Sequence, residues 1–205
     1  RDRSAMDAIR RAYGDLAPQY IDLFGSAARV HDDDLELITR HLSCRSGVVL
    51  DVGCGPGHLA AHLRSPELDV IGIDMVPEFI EHASRTHPEV GYALGSMGCL
   101  PVADGTAAGI LAWYSLIHLP PDDLGAVLAE LRRAIAPAGT LVAGFFDGDH
   151  VVPFDHKVIT AYFWPVDEFA DRLGQAGFDV VERARRPRDP ESGARAHAAV
   201  VAVAV

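Results

Sequence analysis

The stretch Val48 to Ala60, VVLDVGCGPGHLA, constrains the fold more than any other part of the chain. Val48, Val49 and Leu50 are an apolar run of the kind that fills a buried strand, and Gly53, Gly55 and Gly57 follow at alternate positions. A side chain at those positions would keep a ligand away from the backbone. Leu59 to Arg64 then reads as a helix that ends at Ser65 and Pro66. Strand, glycine turn and helix in that order form a nucleotide-type binding turn. The unpaired N–H groups and the dipole at the helix start predict an end that attracts an anion.

The rest of the chain repeats that alternation. Strands are expected at Val70 to Ile73, Val90 to Leu94, Ile110 to Tyr114 and Thr140 to Phe146, and helices at Pro77 to His87, Asp122 to Ala136 and Val166 to Ala176. Asp33 to Leu42 gives an amphipathic helix before the first strand, and residues 1–30 give one or two short helices. Phe178 to Arg185 and Ala196 to Val205 are two strands joined directly, so the last runs antiparallel at or near the sheet edge. The expected fold is α/β, a doubly wound, Rossmann-like, mostly parallel seven-stranded sheet with an antiparallel C-terminal strand and helices on both faces. We expect one domain over residues 1–205. Residues 1–46 would be a helical cap and residues 147–165, which show no strong period, a lid over the substrate face.

Composition narrows the partners. A formal charge of −11 over 205 residues argues against a surface built to neutralise phosphates, so no nucleic-acid partner is expected. No apolar segment approaches the length that spans a bilayer, so no membrane partner is expected either. Three scattered cysteines, Cys44, Cys54 and Cys99, form neither a disulfide framework nor a zinc pattern, which fits a reducing cytoplasm. His150, Asp155 and His156 could in principle bind a metal, but scattered loop histidines of this kind face solvent, and no metal is expected.

Ligands of open α/β sheets bind outside the carboxyl ends of the strands. Those ends place Asp51 to Gly57, Asp74, Ser96, Tyr114 to His118 and Asp147 around one crevice. Asp74 closes the second strand, where a carboxylate can accept hydrogen bonds from both hydroxyls of a ribose. His58 stands where a dinucleotide fingerprint has its third glycine, and the Lys-Ser or Lys-Thr pair of a mononucleotide loop is absent. Asp51, ahead of the turn, would oppose a pyrophosphate and suit a ligand with an ammonium group.

The segments LDVGCGPGHLAAHL, VIGIDM, ALGSM, LAWYSLIHLPP and LRRAIAPAGTLVAGFF resemble a small bacterial class I S-adenosylmethionine-dependent methyltransferase over roughly residues 48–180. The resemblance implies S-adenosylmethionine as cofactor. Gly53, Gly55 and Gly57 would then admit its methionine part, with Asp51 near the amino group and Asp74 on the ribose. Met75 and Met97 would flank the adenine with Ser96 near its edge, Tyr20 would cover the cofactor from the N-terminal segment, and Tyr114 would face it from the fourth strand. The expected reaction is in-line methyl transfer to an oxygen or nitrogen of a small molecule. His118 and Asp147, at neighbouring strand ends, are the candidates for a base. A binding protein that has lost its chemistry and a nicotinamide-dependent oxidoreductase are the competing readings.

Overall fold

The computed structural model describes residues 2–205. Helix α1 (Asp2–Phe24) and a short 3-10 turn (Ala27–Arg29) lead into α2 (Asp32–Leu42) and β1 (Val48–Val52). There follow α3 (His58–Leu63), β2 (Val70–Asp74), α4 (Pro77–Thr86), β3 (Gly91–Leu94), β4 (Ala107–Trp113), α5 (Pro121–Ala134) and β5 (Ile135–Phe146). The remainder is β6 (Val152–Phe154), β7 (Ala161–Phe163), α6 (Val166–Gln175), β8 (Phe178–Arg186) and β9 (His197–Ala204). The main sheet has seven strands in the order β3-β2-β1-β4-β5-β9-β8. Its first five neighbours pair in parallel, and β9 is antiparallel to both β5 and β8. The last strand is therefore reversed as expected. It sits one place in from the edge, and β8 takes the edge.

Alternation along each strand divides the core into two layers. Val49, Leu111 and Val142 point toward α2 and α3, meeting Leu37, Ile38, Leu42, Leu59 and Leu63. Leu50, Ile110 and Leu141 point the other way, onto Leu124, Val127 and Leu131 of α5 and Phe169 and Leu173 of α6. Each of these fully buried aliphatic side chains contributes about 1.5–3 kcal/mol relative to exposure. With both faces covered, the central strands are apolar on both sides. That is why they read as continuous runs.

Two regions differ from expectation. Residues 2–24 form one long helix, with Pro18 inside it. Proline removes a backbone hydrogen bond and normally breaks a helix, but Tyr13, Ala17, Tyr20 and Ile21 all pack on Phe79 and Val76, and that packing spans the proline. The excursion 147–165 contains a small antiparallel pair, β6 with β7, registered Val152↔Phe163 and Phe154↔Ala161. The Phe154 and Phe163 rings lie 4.3 Å apart across it. The segment is also tied to the end of β4, since the Tyr162 amide donates to the Ile117 carbonyl at 2.9 Å.

Candidate active site

The crevice forms where β1, β2 and β4 end. Gly53, Gly55 and Gly57 all have positive φ, at 74°, 52° and 85°. The Gly53 amide donates to the Ile73 carbonyl at 2.7 Å, which turns the chain back over β2. The Gly55 amide donates to Asp74 Oδ2 and the Val76 amide to Asp74 Oδ1, each at 2.9 Å. Asp74 thus holds the two turns together while each of its oxygens keeps a further lone pair for a ligand.

The three glycines do different work. A Cβ on Gly55 would meet nothing nearer than the Tyr20 ring at 3.8 Å, so that position opens into the pocket. A Cβ on Gly57 would lie 2.5 Å from Tyr92 Oη and 2.7 Å from Ala83 Cβ. Gly57 is therefore required by packing, and it does not line the pocket. Helix α3 has six residues, too short for the anion-attracting helix end expected from the sequence.

Of the residues singled out in the sequence, Tyr20, Gly53, Gly55, Asp74, Met75, Met97, Tyr114 and His118 line this pocket together. Asp51, Gly57, Ser96 and Asp147 do not. Asp51 lies behind the turn, 2% exposed, with Oδ2 lacking any hydrogen-bond partner. Ser96 Oγ accepts from the Gly98 amide at 3.2 Å. Asp147 Oδ2 accepts from Arg185 Nε at 2.8 Å, so the expected pairing of Asp147 with His118 is not formed. The cause is the order of the sheet: β9 and β8 follow β5, and β8 carries Arg185 to the Asp147 carboxylate.

Ser115, inside the Tyr114 to His118 stretch, lines the pocket as expected, whereas Tyr13 and Phe79, which also line it, were not singled out in the sequence. Tyr13 and Tyr20 lie two turns apart on α1, and their rings are 5.3 Å apart over Phe79. The Tyr13 hydroxyl is 2.7 Å from His118 Nε2, while His118 Nδ1 lies 2.9 Å from the Thr160 carbonyl. A carbonyl only accepts, so Nδ1 carries the proton and Nε2 accepts from Tyr13. Burial holds the His118 pKa below its usual value, which leaves the ring neutral with its basic nitrogen held by the Tyr13 hydroxyl.

Among the described residues, no lysine or arginine lines the pocket. Its charge is that of Asp74, with Asp51 behind. Burial pushes the Asp51 carboxyl up to about 7, helped by the nearby Asp74, and burial also pushes Asp74 up to about 6. Both groups hold protons in the folded state that an unfolded chain releases near 3.8. Their contribution to stability is fully present below that pH and is lost as pH rises through about 6 to 7. An Asp51→Asn variant, neutral throughout, should therefore gain stability over wild type from pH 4 to about pH 7 and hold that gain above it. Denaturation midpoints across that range check this, and a constant difference would contradict it.

Residues 49–139 match the family model described as a methyltransferase domain. That stretch is similar to a methyltransferase domain, and the surrounding chain shares the fold. The chain resembles malonyl-[acyl-carrier protein] O-methyltransferase of Erwinia billingiae, at 28% identity over 80% of this chain and 66% of that one. It also resembles arsenite methyltransferase of Halobacterium salinarum, at 32% identity over 70% of this chain and 40% of that one. The chain thus spans only part of the length of these curated relatives. Among solved structures, the methyltransferase fold is shared with the Burkholderia thailandensis 1,6-didemethyltoxoflavin-N1-methyltransferase, at TM-score 0.79 and 24% identity, covering 97% of this chain and 88% of that one. The [4+2]-cyclase SpnF shares it too, at TM-score 0.80 and 17% identity, covering 96% and 95% of the two chains. The methyltransferase fold is thus not tied to one reaction, and function has to be argued from the site. Among the described residues, no three or more His, Cys, Asp or Glu side chains gather as a metal would need, and no helix is long and apolar enough to cross a membrane.

Proposed function

We propose that this protein binds S-adenosylmethionine in the pocket between the glycine turn and α1, and transfers its methyl group to an oxygen or nitrogen of a small molecule. The observation that carries the reading is the pocket's composition: a strand-end carboxylate, an open glycine, flanking methionines, covering aromatics and no cationic side chain. A pyrophosphate would meet the Asp74 carboxylate there, with Asp51 buried behind the turn. A nucleoside with an ammonium and a sulfonium would compensate them, and the unpartnered Asp51 Oδ2 fits that need.

In this reading Asp74 holds the ribose hydroxyls through its remaining lone pairs, and Gly53 and Gly55 let the methionine part lie against the backbone. Met75 and Met97 pack beside the base, as polarisable thioethers do against aromatic rings. When bound, the cofactor supplies an electrophilic methyl group on sulfur. Tyr13, Tyr20 and Phe79 exclude water above it, so α1 acts as the cover and the 147–165 segment as the neighbouring wall. His118, its Nε2 held by the Tyr13 hydroxyl, stands beside the place of the methyl acceptor. Asp147, committed to Arg185, is left out of the chemistry. Methylation at oxygen draws support from the Erwinia relative, whose name specifies O-methylation, there of a malonyl group held on a carrier protein.

The test is incubation with methyl-labelled S-adenosylmethionine and fractionated metabolites from the source cells. A labelled small-molecule product is expected. Tight cofactor binding without any labelled product would instead make the protein a binder.

A further inference from the structure

A buried chain of polar side chains leads out of the pocket away from His118. Tyr114, which lines the pocket, places its hydroxyl 2.6 Å from His197 Nδ1. His197 Nε2 stands 3.2 Å from Asp34 Oδ1, close enough to pair though outside full hydrogen-bond geometry. Asp34 is gripped on both oxygens by Arg186, at 3.0 and 2.8 Å. His197 is 3% exposed and Asp34 7%. Buried polar groups are costly unless they are paired, and these are paired with one another. Tyr114 is also a non-glycine residue held at φ 56°, a conformation that costs about 1–3 kcal/mol and persists only where the surroundings impose it.

The proton directions follow from the partners. The nitrogen facing a carboxylate is the one that carries the proton, so the neutral His197 ring holds it on Nε2. Nδ1 is then the acceptor, and the Tyr114 O–H donates to it. The arrangement is that of a hydroxyl, an imidazole and an orienting acid.

We propose that Asp34, His197 and Tyr114 form a relay that removes the proton of the methyl acceptor, and that the acceptor is therefore a hydroxyl or an amine rather than a carboxylate. This rests on the proposed methyl transfer and deepens it. As the acceptor's X–H bond breaks, its proton goes to Tyr114 Oη, the tyrosine's own proton passes to His197 Nδ1, and the lone pair left on X takes the methyl. The imidazolium so formed faces the Asp34 carboxylate. His118 is the weaker proton sink, because a neutral carbonyl, that of Thr160, backs its ring. Charge-assisted bonds are about twice as strong as neutral ones. His118 thus stands beside the acceptor while Tyr114 takes its proton, and His197 and Asp34 act as positioning residues through Tyr114. A carboxylate arrives without a proton and would need none of this machinery.

Two measurements test the relay. Nitrogen-15 NMR of the protein alone should show His197 protonated on Nε2 and bare on Nδ1, and Tyr114→Phe should shift the Nδ1 resonance by removing its donor. A wild-type His197 protonated on Nδ1 alone would overturn the relay. With methyl-labelled S-adenosylmethionine and the source metabolites, the product label should be stable to alkali, as an ether or amine is. Tyr114→Phe should lower its formation by at least about 100-fold, the lower range for a lost general base, with cofactor affinity unchanged by calorimetry. An alkali-labile methyl ester, or Tyr114→Phe at wild-type rate, would overturn the proposal. A wild-type protein that gives no labelled product, or binds no S-adenosylmethionine, would overturn the methyl-transfer reading on which the relay rests.

Discussion

Replacing Asp74 by alanine should weaken S-adenosylmethionine binding by at least about 1.4 kcal/mol, tenfold in affinity, and should destabilise the free protein as well. The double effect comes from the double engagement of the side chain. Its oxygens take the amides of Gly55 and Val76 at 2.9 Å each, inside a site where Asp74 is 8% exposed. Removing the carboxylate leaves two buried N–H groups without partners, at about 1–3 kcal/mol each. It also removes the acceptors proposed for the ribose. Calorimetry and chemical denaturation on the same variant separate the two losses. Unchanged affinity would take Asp74 out of the site even if stability fell.

Gly57→Val should cost about 2–5 kcal/mol of stability, whereas Gly55→Ala should leave stability within about 1–2 kcal/mol of wild type and abolish cofactor binding. At Gly57 a branched side chain meets both left-handed strain, at φ 85°, and the hard contacts with Tyr92 Oη and Ala83 Cβ. At Gly55 the space is open to Tyr20, so the added methyl blocks a ligand and little else. Thermal melts of Gly57→Val should fall by several degrees or more, since about 1 kcal/mol shifts the midpoint of a chain this long by about 2–4 °C. Equal melting points for the two variants would contradict this division of labour.

The legibility of the site in the sequence follows the range of its contacts. Asp74 and Gly55 could be read from local pattern, because a strand end and the turn beside it are fixed within one βαβ unit. Gly57 shared the spacing of its neighbours, and only the packing of Tyr92 from β3 reveals its separate duty. Tyr13 carries a helical-face signal with Tyr20, but Pro18 between them reads as a break, and the packing on Phe79 that overrides it is tertiary. Asp147 had the right strand-end position. Its partner Arg185 arrives on β8, by way of a sheet order that strand alternation does not determine. Asp34 and His197 lie near opposite ends of the chain and meet only because β9 inserts beside β5, where Phe146 registers with His197. The main sheet was legible for the opposite reason, since buried parallel strands announce themselves as apolar runs. The β6–β7 pair was hidden because each strand has only three residues and is held by aromatic contacts rather than by alternation.

The central claim is that the pocket is built for a sulfonium nucleoside and rejects a pyrophosphate. Titration calorimetry of the wild-type protein with S-adenosylmethionine and, separately, with NADH tests it most directly. The account predicts saturable binding of S-adenosylmethionine, lost in Gly55→Ala, and no binding of NADH. Saturable NADH binding with no heat from S-adenosylmethionine would contradict it.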